Sequence, residues 1–94
     1  MRKEHDYELT RRLERIITDG CVFISWNELY LWYGMQKLAA GTYRDLANRW
    51  SEISEGYLVG EEPLGDLHFV QSPSKISPGM YLFGGNMPRV VSDQ

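Results

Sequence analysis

The stretch from residue 42 to residue 58, TYRDLANRWSEISEGYL, constrains the fold of this chain most strongly. Apolar residues recur in it at spacings of three and four, which predicts an amphipathic helix with one buried and one polar face. Thr42 is expected to cap the start of the helix. Gly56 is expected to end it, since glycine takes the left-handed conformation at no steric cost. Tyr57 and the residues after it read as a strand.

The two sides of this predicted helix differ in chemistry. The side expected to be buried consists of Tyr43, Leu46, Ala47, Trp50, Ile53 and Ser54. The side expected to be exposed consists of Arg44, Asp45, Asn48, Glu52 and Glu55. Because the second half of the exposed side is acidic, only its first two turns suit contact with an anion.

Two helices are predicted before this stretch. The first runs from about residue 7 to residue 18, with Asp6 as its cap and Asp19-Gly20 as its end. The second begins at Ser25, because Ser25 and Glu28 form a capping box in which each side chain accepts a hydrogen bond from the other's backbone N–H. Gly34 leaves two alternatives, since the second helix either ends there or continues to about residue 39. Residues 21–24 read as a short strand between these helices.

The remaining residues predict β structure. Residues 56–60 and 67–71 make a plausible hairpin around the turn-rich loop 61–66, and residues 80–83 read as a third strand that is apolar on both faces. The predicted fold class is therefore α+β, with a three-helix N-terminal part followed by a small antiparallel β-hairpin or a three-stranded sheet. We expect one winged-helix-like domain over residues 1–86 and a flexible tail over residues 87–94.

Charge and composition limit the possible functions. Residues 1–50 carry eight Lys/Arg and seven Asp/Glu, whereas residues 51–94 carry two and six. A basic face for nucleic acid is therefore expected only in the first half of the chain. There the cluster Arg11, Arg12 and Arg15 is either a phosphate-contacting face or a solvated helix surface with local ion pairs. The lack of a long apolar run and of a signal peptide predicts a cytoplasmic protein without a membrane span.

The titratable residues predict neither catalysis nor metal binding. The chain has one cysteine, Cys21, and two histidines, His5 and His68, in no spacing typical of a metal site. Ser25 and Thr42 are better explained as helix caps than as nucleophiles. We therefore expect no enzyme activity, no catalytic residue, no metal and no cofactor.

The order of helix, short strand, helix, helix and hairpin resembles the winged helix-turn-helix superfamily over roughly residues 7–71. Leu29, Tyr33 and Gly34 look like its second helix and the glycine of its turn. Leu46, Trp50 and Ile53, followed by residues 55–58, look like a recognition helix that leads into a wing. The resemblance implies a small DNA-binding transcriptional regulator whose expected partners are double-stranded DNA and a protein partner or second copy of the chain.

The resemblance and the residue types together give the candidate DNA contacts. Arg44 and Asn48 lie one turn apart, and their side chains match guanine and adenine edges respectively. The candidate DNA-binding residues are Lys37, Thr42, Tyr43, Arg44 and Asn48. The expected wing tip, residues 61–66, departs from the pattern because it carries Glu61, Glu62 and Asp66 where DNA-binding relatives commonly carry basic residues.

The alternative hypothesis is a protein–protein interaction module of winged-helix shape that does not bind DNA. It rests on the acidic C-terminal half and on aromatic and apolar residues suited to an interface core. The candidate interface residues are Leu31, Met35, Met80, Tyr81 and Phe83. The sequence leaves open whether the strand at residues 80–83 pairs within the chain or across a dimer.

Overall fold

The computed structural model describes residues 1–35, 39–72, 75–76 and 78–86. Its elements are α1 (Lys3–Asp19), β1 (Val22–Ser25), α2 (Trp26–Tyr33), α3 (Ala40–Ser54), β2 (Leu58–Val59), β3 (Glu62–Pro63), β4 (Leu67–Gln71) and β5 (Gly79–Gly84). Three helices followed by antiparallel strands confirm the predicted α+β class. The tail predicted at residues 87–94 lies outside the described residues.

Helix α1 is longer than the sequence predicts. It begins at Lys3, with Arg2 in the N-cap position, so Asp6 lies within the helix instead of capping it. It ends as predicted, because Gly20 takes the left-handed conformation with φ of 83° and its N–H donates to the carbonyl of Ile16 at 2.8 Å. The acidic residues of the first turn favour the early start, since they complement the positive end of the helix dipole.

Helix α2 begins with the predicted capping box. The Ser25 hydroxyl accepts from the backbone N–H of Glu28 at 3.1 Å, and the Glu28 carboxylate accepts from the backbone N–H of Ser25 at 3.1 Å. Of the two alternatives for its end, the structure takes the shorter, because Gly34 has a left-handed φ of 66° and stops the helix after Tyr33. Lys37 and the rest of the proposed continuation at residues 36–38 lie outside the described residues.

Helix α3 begins at Ala40, so Thr42 is not its cap. Thr42 is instead buried in the first turn and donates to the sulfur of Met35 at 3.5 Å. The buried arc of α3 is rotated from the predicted one, because α1 packs beside it and takes contacts from Arg49. As a result Tyr43 and Ala47, which the sequence assigned to the buried side, are exposed.

The main sheet has the strand order β1-β5-β4, and both pairs are antiparallel. The predicted third strand is β5, which lies at the centre with Met80 opposite both Ile24 and Gln71. Its pairing is therefore within the chain on both edges, which settles the choice that the sequence left open. Met80 and Leu82 of this strand are buried in the core, while Tyr81 and Phe83 on its other face contact the rings of Phe23 and His68 on the neighbouring strands.

The predicted pairing of residues 56–60 with residues 67–71 is wrong. β2 pairs with β3 around a two-residue turn, Gly60-Glu61, and β4 pairs with β5. Gly60 has a positive φ of 66° at the first central position of this turn, where a two-residue hairpin favours glycine. Because this tight turn pairs β2 with β3, β4 pairs with the strand that follows it, β5.

The core lies between the three helices and the inner face of the sheet. Helices and strands both contribute to one cluster of buried apolar side chains: Leu9, Leu13, Ile16, Val22, Ile24, Leu29, Trp32, Leu46, Trp50, Leu64, Leu67, Met80 and Leu82. The helical spacing of Leu9, Leu13, Ile16 and Ile17 predicts a buried stripe on α1; the first three are confirmed as buried, and Ile17 is partly buried against the cluster. None of the helices in the described part of the chain is both long and apolar enough to cross a membrane.

Candidate nucleic-acid interface

The outer side of α3 carries two polar side chains that suit base recognition. Arg44 and Asn48 are both exposed and lie one helical turn apart. Small residues, Ala47 and Ser51, are exposed beside them on the same helix. Small neighbours leave Arg44 and Asn48 projecting from the surface, which is the arrangement needed for a helix to approach a groove.

The opposite side of α3 is fixed by a polar network around Arg49. The Arg49 guanidinium donates to Asp45 at 2.8 Å and to the Thr10 hydroxyl at 3.0 Å, and it pairs with Asp6. The Tyr33 hydroxyl donates to the same Asp45 carboxylate at 2.7 Å. The network joins all three helices, so Arg49 is committed to structure and is not available to a ligand.

The network shifts the pKa values of its members. Burial and the hydrogen bond to Asp45 raise the pKa of Tyr33 well above its ordinary value of 10.0. Burial alone raises the pKa of Asp45, but hydrogen bonds from Arg49 and Tyr33 outweigh it and hold this pKa below its ordinary value. Asp45 therefore stays ionised and Tyr33 stays protonated at neutral pH, which preserves the orientation of α3.

Two of the three clustered arginines of α1, Arg12 and Arg15, form ion pairs within the chain. Arg12 donates to Glu28 of the capping box at 2.7 and 3.2 Å, and its guanidinium lies 5.4 Å from the centre of the Trp32 ring. Arg15 pairs with Asp19 at 3.2 Å. These contacts favour the ion-pair interpretation of the cluster over a phosphate-contacting face. The contacts of Arg12 with Glu28 and Trp32 also hold α1 against α2.

The N-terminal half of α3 lies next to the turn end of the β4–β5 hairpin. The rings of Tyr43 and Phe69 meet edge to face with centroids 5.2 Å apart. Tyr43 also shares a surface groove with Gln71 and Met80, which are paired at the end of β4 and the start of β5. The described residues of the turn between these strands, 72, 75–76 and 78, therefore lie at the same end of the molecule as the start of α3.

This turn, which we call the tip, carries a cation. Lys75 is exposed in it, and no Asp or Glu occurs between Leu67 and Asn86. The base of the tip is held by a hydrogen bond from Ser72 N–H to the carbonyl of Gly79 at 2.9 Å. Lys75 is a candidate contact that the sequence reading missed. A prediction that residues 67–71 pair with residues 80–83 would have placed Lys75 in the turn between the two strands.

The acidic residues lie at the other end of α3. The loop 61–66, which the sequence reading placed at the wing tip, packs instead beside the C-terminal half of α3. The Trp50 indole N–H donates to the carbonyl of Gly65 at 2.9 Å and fixes this position. The carboxylates gathered at this end are Glu52, Glu55, Glu61, Glu62 and Asp66.

The five candidate DNA-binding residues do not all lie on one surface. Arg44 and Asn48 lie together on the outer side of α3, and Tyr43 lies beside them but packs on Phe69. Thr42 is buried and is removed from the set, because its position in the first turn points it at the core. Lys37 lies outside the described residues.

The candidate interface residues do not form one surface. Met80 is only 1% exposed because it lies on the inner face of the central strand, so its assignment to an interface is wrong. Leu31 is exposed on α2, and Met35 is half-buried beyond the end of that helix. Tyr81 and Phe83 lie on the outer face of the sheet.

The outer face of the sheet is apolar and aromatic. The strand register places five uncharged side chains on it: Phe23, His68, Val70, Tyr81 and Phe83. Phe23 and Tyr81 have ring centroids 5.2 Å apart, and His68 stacks on Phe83 at 5.5 Å. Val70 and Tyr81 remain 49% and 41% exposed.

Metal-binding geometry is absent from the part of the chain that the structure describes, where no three His, Cys, Asp or Glu residues come together. Burial raises the pKa of the Cys21 thiol, which disfavours the reactive thiolate. Comparisons of the chain with protein-family models, with curated proteins and with solved structures find no match.

Proposed function

We propose that this chain is a winged-helix-like protein that binds double-stranded DNA with the first two turns of α3 and with the tip of the β4–β5 hairpin. The observation that carries the proposal is the separation of charge along α3. Arg44 and the Lys75 turn lie at one end, and the carboxylates of the β2–β3 region lie at the other. DNA approached from the first end meets cations and avoids the acidic cluster.

Each part has a role that follows from its chemistry. The N-terminal half of α3 enters the major groove, where Arg44 bonds guanine through two donors and Asn48 bonds adenine through one donor and one acceptor. Lys75 neutralises a backbone phosphate beside the groove, which adds affinity without sequence preference. The Arg49 network keeps the outer side of α3 turned away from the core.

The test begins with selection of preferred sequences from random duplex DNA. Binding of the selected duplex is then measured by fluorescence anisotropy at about 50 and 200 mM salt, since phosphate contacts make affinity fall steeply with salt. We expect Arg44→Ala to weaken binding about 10- to 100-fold, as loss of a bidentate base contact costs roughly 1–3 kcal/mol. Lys75→Ala should weaken binding of all duplexes alike and reduce the salt slope by about 1.

Arg11→Ala is the matched control. It removes the same charge from α1, where Arg11 contacts Tyr7 and not the outer side of α3. An equal loss of DNA affinity in Arg11→Ala and Arg44→Ala would show that binding depends only on net charge. That result would contradict base recognition by α3. An absence of duplex binding at the lower salt concentration would overturn the proposal.

A second candidate function is protein–protein interaction through the outer face of the sheet. The observation that favours it is the apolar cluster formed by the exposed Val70 and Tyr81 with the half-buried Phe23, because surfaces of this kind commonly mark interfaces. The partner is another protein or a second copy of this chain. Solution mass measured over a range of concentrations tests self-association.

Tyr81→Asp is the variant for this second candidate, since it places a charge at the centre of the outer face. We expect it to abolish any self-association, while Tyr57→Asp, at an exposed position beyond α3, leaves the mass unchanged. A monomer at every concentration excludes the second copy as the partner.

A further inference from the structure

A surface groove between α2, α3 and the end of the β4–β5 hairpin is lined mainly by aromatic side chains. It encloses about 430 Å³, which falls within the range of small-molecule clefts. Its lining residues are Trp26, Tyr30, Tyr43, Phe69, Gln71 and Met80. None of the four aromatic residues is fully buried. Trp26 and Phe69 also pack against the core cluster, and the rings of Tyr43 and Phe69 meet edge to face.

The groove differs from its neighbours in charge. Four other grooves on the described surface each include at least one carboxylate, such as Glu55 and Asp66 in the groove at the C-terminal end of α3. The aromatic groove includes none. The two grooves beside the later turns of α3 hold more carboxylates than cations and repel a polyanion, whereas the two grooves on α1 also contain arginines and the aromatic groove carries no charged side chain.

Two cations lie near the lining residues in the chain, although neither lines the groove itself. Arg44 follows Tyr43 on α3, and Lys75 lies four residues beyond Gln71 in the tip. Four residues span on the order of 14 Å at full extension, so the Lys75 ammonium stays within a few nucleotides of a base held in the groove. The Gln71 amide offers one donor and one acceptor, which is the pattern needed to bond the edge of a base.

We infer that this groove binds an unpaired nucleobase, held by stacking between its aromatic walls, while Lys75 neutralises a neighbouring phosphate. The inference rests on the proposed DNA binding and narrows its substrate to DNA with an unstacked base, either a bulge or a single-stranded end. Stacking on aromatic side chains is the usual way in which proteins hold unpaired bases, and it tolerates all four of them.

The experiment compares three labelled probes in the same anisotropy assay. The probes are a 12-nucleotide oligothymidylate, a fully paired duplex and the same duplex with one unpaired thymine. We expect the bulged duplex to bind more tightly than the paired one. Tyr30→Ala should weaken binding of oligothymidylate and of the bulged duplex about 5- to 150-fold, the range for loss of one stacked base, and leave the paired duplex unaffected.

Three further variants separate stacking from folding. Tyr30→Phe keeps the ring and should retain binding, and Gln71→Ala should weaken it without a change in thermal stability, since Gln71 is exposed. Tyr57→Ala removes an exposed tyrosine at the other end of the molecule, where the side chain is 51% exposed, and should leave all three probes unaffected.

The outcomes distinguish this inference from the proposed function. The inferred base-binding role of the groove is overturned if the bulged and paired duplexes bind equally. It is also overturned if neither Tyr30→Ala nor Gln71→Ala changes the affinity. Neither result contradicts the proposed binding of duplex DNA. Binding of oligothymidylate without binding of the paired duplex supports the groove and overturns the reading of duplex DNA by α3. Binding of none of the probes overturns both.

Discussion

The two hairpins of this chain have opposite charge and lie at opposite ends of α3. The β2–β3 hairpin and the residues beside it, 51–66, contain five carboxylates and no Lys or Arg. The β4–β5 hairpin, residues 67–84, contains one lysine and no carboxylate. The first hairpin pairs two residues with two, whereas the second pairs five residues and joins β1 in a three-stranded sheet.

The two hairpins are also held in place by different interactions. The β2–β3 hairpin and the loop after it are attached by separate contacts, namely the Trp50 indole bond to Gly65, the buried Leu64, and bonds from Asn86 to the carbonyls of Pro63 at 3.0 Å and Leu64 at 2.9 Å. The β4–β5 hairpin is attached by a continuous strand ladder. The first hairpin therefore depends on a few individual contacts, and the second depends on backbone pairing in the sheet.

The largest expected effect concerns the anchor of the acidic hairpin. Trp50 is 2% exposed, so Trp50→Ala should lower the free energy of unfolding by about 3–5 kcal/mol, as for other large buried aromatic residues. Urea denaturation measures the loss. Trp50→Phe keeps most of the packing and removes the bond to Gly65, so it should cost less than Trp50→Ala. A loss below about 1 kcal/mol in Trp50→Ala would contradict this anchoring role.

A smaller effect is expected at the start of β5. A Cβ at Gly79 would clash with the backbone carbonyl of Ile24 and would lie 2.6 Å from the Phe23 ring. Gly79→Ala should therefore lower the free energy of unfolding by about 1–3 kcal/mol, because β1 cannot move away without losing its pairing with β5. The change should disturb the tip and weaken DNA binding as well.

Gly41→Ala is the matched control for Gly79→Ala. A Cβ at Gly41 meets no atom within 4 Å, and the residue lies in the first turn of α3. Alanine is a better helix former there, so this variant should be neutral or more stable by up to about 1 kcal/mol. Equal destabilisation in the two variants would refute the proposed clash between β5 and β1.

The smallest effect concerns acid and the capping box beside the β4–β5 hairpin. Hydrogen bonds from Arg12, partly offset by burial, hold the pKa of Glu28 below its ordinary value of 4.5. As the pH falls, the unfolded chain therefore binds this proton before the folded protein does. The stability from Glu28 is fully present above about pH 4.5 and is lost as the pH falls through the lower folded pKa.

Urea denaturation of the wild type and of Glu28→Gln between pH 7 and pH 3 measures this contribution. Glu28→Gln should lose on the order of 1 kcal/mol at pH 7, a small value because the ion pair is partly exposed to solvent. The difference between the two proteins should shrink towards pH 3. A difference that stays constant over this range would show that the charge of Glu28 does not contribute.

Local chemistry made the helices predictable. The capping box at Ser25, the glycine ends at Gly20 and Gly34 and the apolar stripe of α1 are confirmed, since each depends on residues within one or two helical turns. Strand existence was predicted as well, with β4 at its observed bounds. The partners of the strands were not predicted correctly, because strand pairing joins residues far apart in the chain. The tight turn at Gly60-Glu61 also pairs β2 with β3, so β2 does not pair with β4.

The candidate site followed the same division. Arg44 and Asn48 could be identified from helical spacing, because exposure on an amphipathic helix follows from its period. Lys75 could not, since its position beside α3 depends on the pairing of β4 with β5. Met80 was misassigned for a related reason, because an apolar strand reads alike whether it lies at an edge or at the centre of a sheet.

The sequence by itself determined the three helices, the α+β class and the division of charge along the chain. Only the tertiary structure decided where those charges lie. The strand order β1-β5-β4 brings the lysine turn to the start of α3. The bond from Trp50 to Gly65 keeps the acidic loop at the other end of that helix. Helix signals are local and can be read from neighbouring residues, whereas sheet order and hairpin position are set by contacts between distant ones.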